Sequence, residues 1–122
     1  RDVAPSRGLG DVYKRQALAA YDEARLAYEQ KVLTVFKEAD DAVVTYRSAR
    51  KTAALKLNLR DAASKYVELA HLQYRAGSTN YIDVLDAQRR YFDAQIGLSN
   101  SVRDEHLALV QLYKALGGGW TE

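Results

Sequence analysis

Between Ala17 and Arg75 the chain has neither Pro nor Gly, and apolar residues recur at steps alternating four and three: Tyr28, Val32, Val35, Ala39, Ala42, Tyr46, Ala49 and Ala53, then Ala63, Val67, Ala70 and Tyr74. Such a strict alternation marks the seam of a coiled coil, narrower than the apolar stripe of a globular helix. Lys56 and Arg60 fall on the same steps and are the only breaks in the series. A second seam, Leu55, Leu59, Ala62, Tyr66 and Leu69, runs beside it in the later half. Two seams on one helix require two partner helices. A helix of roughly 59 residues rises about 90 Å, far more than one small core needs.

The run Ala76, Gly77, Ser78, Thr79, Asn80 supplies a Gly able to take positive φ, followed by three small polar residues that suit a helix start. It predicts a reversal into a second helix over about 81–116. That helix again carries two apolar tracks: Ile82, Leu85, Phe92 and Ile96 on one side, Val84, Tyr91 and Leu98 on the other. Gly117, Gly118 and Gly119 then end it, and Trp120 offers a large aromatic anchor. The fold class is therefore all-α: a long antiparallel coiled-coil hairpin with a helix over about 17–75, a tip turn at 76–80 and a Gly-rich end at 117–122. The many alanines in the seams favour close contacts between long helices, and both flanks call for further helices.

Composition narrows the function. With 122 residues there is room for one domain, and 18 Lys+Arg against 16 Asp+Glu gives a net charge of +2 with the signs interspersed. No basic stripe exists to neutralise phosphates, so nucleic acid is not an expected partner. Cys is absent, which removes thiolate nucleophiles and Cys-based zinc sites. Two His residues and scattered Ser residues without an adjacent base give no catalytic constellation, so the chain is not read as an enzyme and no cofactor is implied.

Three features merit a functional reading beside a structural one. Glu68-x-x-His71 has the spacing of a di-iron ligand pair on one helix face, but such a site needs a second copy, and His106 has Arg103 three residues before it; no metal site is expected. Asp83 and Asp86 share a face at the start of the second helix. Capping explains Asp83, with Asn80 as the N-cap and the positive end of the macrodipole favouring both acids. It explains Asp86 poorly, because that residue lies past the capping position. Ser99, Asn100 and Ser101, of low helix propensity, predict a tolerated weak spot or a local bend.

The stretch Tyr74-Arg75-Ala76-Gly77-Ser78, continuing through Tyr81-Ile82-Asp83-Val84-Leu85-Asp86-Ala87-Gln88-Arg89, resembles the C-terminal repeat of TolC-family outer-membrane efflux proteins. The ending Leu112-Tyr113-Lys114-Ala115-Leu116-Gly117-Gly118-Gly119-Trp120 is similar to the terminal signature of the branch serving resistance-nodulation-division (RND) pumps, and Tyr28-Glu29-Gln30 with Val32-Leu33-Thr34 fits the upper part of the long helix. The resemblance covers about Ala17 to Trp120. It implies a homotrimeric channel of the Gram-negative outer membrane, with a β-barrel in the membrane and a twelve-helix α-barrel in the periplasm. The expected function is passive export of substrates delivered by an RND inner-membrane pump through a periplasmic adaptor protein. This chain would supply one of two hairpins per subunit, and the double seams would follow from wall helices that pack on both sides.

The same resemblance makes the turn the periplasmic tip. Ala76, Gly77 and Ser78 would form the adaptor-docking surface, and Asp83, Asp86 and Tyr74 the channel constriction. Part of the family carries a basic residue two positions after the tip Gly, where this chain has Thr79. The competing reading is a free-standing structural coiled-coil hairpin, such as that of an adaptor itself. Residues 1–16 hold the only Pro and no helical period, and are expected to be a tail, either native linker or a cloning or assembly remnant; the absence of Met suggests a piece of a longer protein.

Overall fold

A computed structural model describes residues 3–118, with side chains from residue 7 onward; Gly119 and the Trp120 anchor lie outside the described residues. Two helices make up the chain, α1 (Val3–Arg75) and α2 (Tyr81–Ala115). The chain divides into two compact units, Arg1–Glu38 and Ala39–Glu122.

In the first unit, α1 starts at Val3 rather than after Gln16, so the stretch read as a tail is helical from its third residue. Pro5 does not prevent this, because amides in a first turn have no helical acceptor to lose. Gly8 and Gly10 lower helix propensity without forbidding the conformation. Apart from half-buried Val32, the described side chains of this unit are exposed, including Leu18, Tyr21, Leu26, Tyr28, Leu33 and Phe36.

The second unit is the antiparallel hairpin. On α1 the buried and half-buried positions include Ala42, Tyr46, Ala49, Ala53, Lys56, Arg60, Ala63, Val67 and Ala70. On α2 Val84, Ala87, Tyr91, Ala94, Leu98, Ser101, Glu105, Ala108, Leu112 and Ala115 form another unbroken series of threes and fours, with half-buried Gly97 beside it. Lys56 and Arg60 therefore do not break the seam. Long cationic side chains can lay their methylene stems along a packed surface and keep the charge in water. The Lys56 stem passes beside Gly97, where an added methyl group would lie 3.8 Å from Lys56 Cδ, an ordinary contact distance.

Small residues dominate the packed seam. The buried hydrophobic set is Ala53, Ala70, Val84, Ala87, Ala94 and Ala108, with Ser101 the one buried polar side chain among the described residues. Ser101 Oγ donates to the Gly97 carbonyl one turn back at 2.9 Å, so the Ser99 to Ser101 stretch passes through the helix without a break. Many of the larger apolar residues point elsewhere. Leu55, Leu59, Tyr66 and Leu69 on α1 remain exposed, as do Ile82, Leu85, Phe92 and Ile96 on α2, with Ile82 at 74%.

Candidate functional site at the hairpin tip

The reversal is built by a Schellman cap. Gly77, at φ 75°, donates its N–H to the Tyr74 carbonyl at 3.0 Å, and the Ser78 N–H reaches the Gln73 carbonyl at 3.0 Å. Ser78 Oγ donates to the same Gln73 oxygen at 3.0 Å, so one carbonyl holds both groups of Ser78. Ala76, Gly77 and Ser78 are exposed. A Cβ added at Gly77 would meet nothing within 4 Å, so within this chain it is backbone conformation and not crowding that calls for glycine. The second helix ends in the same way: Gly117 at φ 80° donates to Lys114 O at 3.1 Å, and Gly118 to Tyr113 O at 2.8 Å. Gly118 differs from Gly77, because the Tyr113 ring occupies the space a side chain would need.

Asn80 occupies the N-cap position of α2 with extended backbone, φ −81° and ψ 155°, but its side chain makes no capping hydrogen bond. Its carbonyl accepts the Asp83 N–H at 3.1 Å. The reciprocal capping expected from Asn80 and Asp83 is therefore limited to the backbone, and the Asp83 carboxylate is exposed in the first helical turn, where the macrodipole favours an anion.

Asp86 is held differently. Arg90, one turn further along, donates from Nε to Asp86 Oδ2 at 3.0 Å. No ion pair involves Asp83 among the described residues. At about 100° per residue, Asp83, Asp86 and Arg90 lie within roughly 60° of one another on the helix surface. The spacing Asp86-x-x-x-Arg90 was available in the sequence as an i,i+4 pair, and it supplies the account of Asp86 that capping lacked.

Tyr74 and Tyr81 meet across the turn. Their ring centroids are 5.3 Å apart with an interplanar angle of 60°, an edge-to-face pair. Further from the tip, His71 and Gln88 face each other across the hairpin, with His71 Nε2 and Gln88 Nε2 3.4 Å apart. His71 thus has a neutral amide opposite it, and no group of three or more metal-ligating side chains occurs among the described residues. Tyr81 and Arg90 were not singled out from the sequence. Tyr81 lacked a spacing signal, because its partner sits across a turn rather than along a helix.

The hairpin buries mainly alanine and leaves a row of large apolar side chains exposed on each helix, a surface suited to packing against further helices. Residues 14–118 match the family of outer membrane efflux proteins, and the chain belongs to that family. Family members are transporters rather than enzymes. The chain is 39% identical over 94 residues to the solvent efflux pump outer membrane protein SrpC of Pseudomonas putida, covering 77% of this chain and 20% of that protein. It is 35% identical over 106 residues to the outer membrane protein OprJ of Pseudomonas aeruginosa, covering 87% of this chain and 22% of OprJ. Among solved structures, the outer-membrane channel OprN superposes with a TM-score of 0.73 at 29% identity, over 87% of this chain and 24% of OprN. The chain spans about a fifth of the length of the curated relatives it matches.

Proposed function

We propose that the chain forms the C-terminal hairpin of a trimeric efflux channel, one wall segment of a twelve-helix periplasmic α-barrel that continues into an outer-membrane β-barrel. The observation that carries this reading is the pair of unpartnered apolar rows, Leu55, Leu59, Tyr66 and Leu69 on α1 and Ile82, Leu85, Phe92 and Ile96 on α2. Each helix has its hairpin partner on one flank and a second packing surface on another, as a continuous wall of helices requires. Among the described residues neither helix is long and apolar enough to cross a membrane, which suits a wall in water better than a bilayer span.

The tip then has two tasks. Ala76, Gly77 and Ser78 are small and exposed, so a helical partner such as a periplasmic adaptor can approach their backbone closely. Asp83, Asp86 and Tyr74 are the residues of the constriction, where acids repeated by threefold symmetry favour cations. The channel is passive: its substrates arrive from an RND inner-membrane pump through the adaptor. The test is to produce the full-length protein in a strain lacking its own outer-membrane efflux channel. Drug tolerance should return when pump and adaptor are both present and not when either is deleted; no recovery with both present refutes the proposed function.

A further inference from the structure

Asp83 and Asp86 share one face of α2, yet the structure treats them unequally. Asp86 is engaged by Arg90 at 3.0 Å, while Asp83 stands without an ion pair among the described residues. Arg90 also has Asp93 three residues on, a geometrically permitted alternative, and its guanidinium is instead placed at Asp86. We infer that Arg90 is a charge-selectivity determinant of the channel, held on Asp86 so that this acid adds little net field and Asp83 supplies most of the cation preference.

This inference rests on the proposed placement of Asp86 at the constriction and goes beyond it. Wherever the Asp86 carboxylate lies relative to a pore axis, a guanidinium nitrogen 3.0 Å away lies there too. Asp83, Asp86 and Arg90 together carry a net charge of −1 per subunit, so these three groups contribute about −3 in a trimer rather than the −6 of the two acids alone. The pair is solvent-exposed, with side-chain exposures of 68% for Arg90 and 48% for Asp86, so it adds little to the stability of the isolated helix. Its consequence is for passing ions. An ion held near the axis of a narrow, low-dielectric wall senses the sum of the charges around it.

The experiment measures reversal potentials of the full-length channel in planar bilayers under a KCl gradient, for wild type, Asp86→Asn, Arg90→Gln and the double variant. Arg90→Gln doubles the net negative charge. Removing three positive charges within about one Debye length of the ion path, about 10 Å at 0.1 M salt, should raise the K+ over Cl− permeability ratio a few-fold. Asp86→Asn leaves Arg90 unpaired and should lower the ratio. The double variant restores one net negative charge per subunit and should return close to wild type. That return distinguishes charge compensation from a local packing effect, in which the two changes would not cancel. If Arg90→Gln leaves the ratio unchanged while Asp86→Asn lowers it, the role of Arg90 is overturned and the constriction stands. If neither change moves the ratio, the placement of Asp86 at the constriction fails, and the inference fails with it.

Discussion

Gly77 offers a clean separation between backbone conformation and steric room. It sits at φ 75°, with nothing within 4 Å of where a Cβ would be, so any penalty for a side chain comes from the left-handed backbone itself. That conformation costs an L-residue roughly 1–2 kcal/mol, a β-branched one more, and Asn least. Removing glycine also lowers the entropy of the unfolded chain, which offsets about 0.4–1 kcal/mol of the cost. The expected order of damage is therefore Gly77→Val above Gly77→Ala above Gly77→Asn, with Val near 2 kcal/mol, about a thirtyfold loss in the population of the native turn. The hydrogen bonds from Gly77 to Tyr74 and from Ser78 to Gln73 would be strained or lost together, splaying the surface assigned to adaptor contact. The assay is adaptor cross-linking and drug tolerance of the three full-length variants, alongside urea unfolding of the 122-residue chain followed by circular dichroism. Should Gly77→Asn prove as damaging as Gly77→Val in all three readouts, the positive φ is not the reason for glycine and the reasoning fails.

Four other substitutions test the packing. Ala87→Leu forces a larger side chain into a fully enclosed site between the helices and should destabilise the hairpin by about 1–3 kcal/mol, read from the urea midpoint. Gly97→Ala should do the reverse: the new methyl makes ordinary contact with the Lys56 stem, and the gain in helix propensity of up to about 1 kcal/mol should raise the thermal midpoint. Gly118→Ala should perturb the end of α2 by displacing the Tyr113 ring, and Tyr113→Ala in the same chain should relieve the effect; amide hydrogen exchange over 112–118 checks both.

The seam was legible because alternating steps of four and three survive even where the residue type is wrong for a core. Lys56 and Arg60 looked like interruptions by composition, but they hold the right positions, and the stem of Lys56 packs over Gly97. The tip glycine was equally plain, since few sequences other than a Gly followed by small polar residues reverse a long helix so tightly. The helical stretch from Val3 to Gln16 was not legible. Without an apolar period, Pro5, Gly8 and Gly10 read as breakers, although a proline in a first turn loses no hydrogen bond. At the acidic pair the shared face could be seen and the inequality could not. Arg89 and Arg90 both lie within a turn of Asp86, and only side-chain placement shows that Arg90 is the one that closes.

Because both seams keep the same count from Gly77 outward, the hairpin behaves as a ruler graduated in sevens. Removing one residue from α2 turns everything beyond it by about 100°, taking Ala94, Ser101 and Ala108 away from α1. Removing seven from each helix takes out two turns on either side of the tip, restores every contact class and shortens the hairpin by about 10 Å. Reach can therefore change only in steps. A tunnel made from such hairpins can be matched to a wider or narrower gap by paired insertions of seven, while single-residue changes in length are confined to the turn or to places where the packing is interrupted.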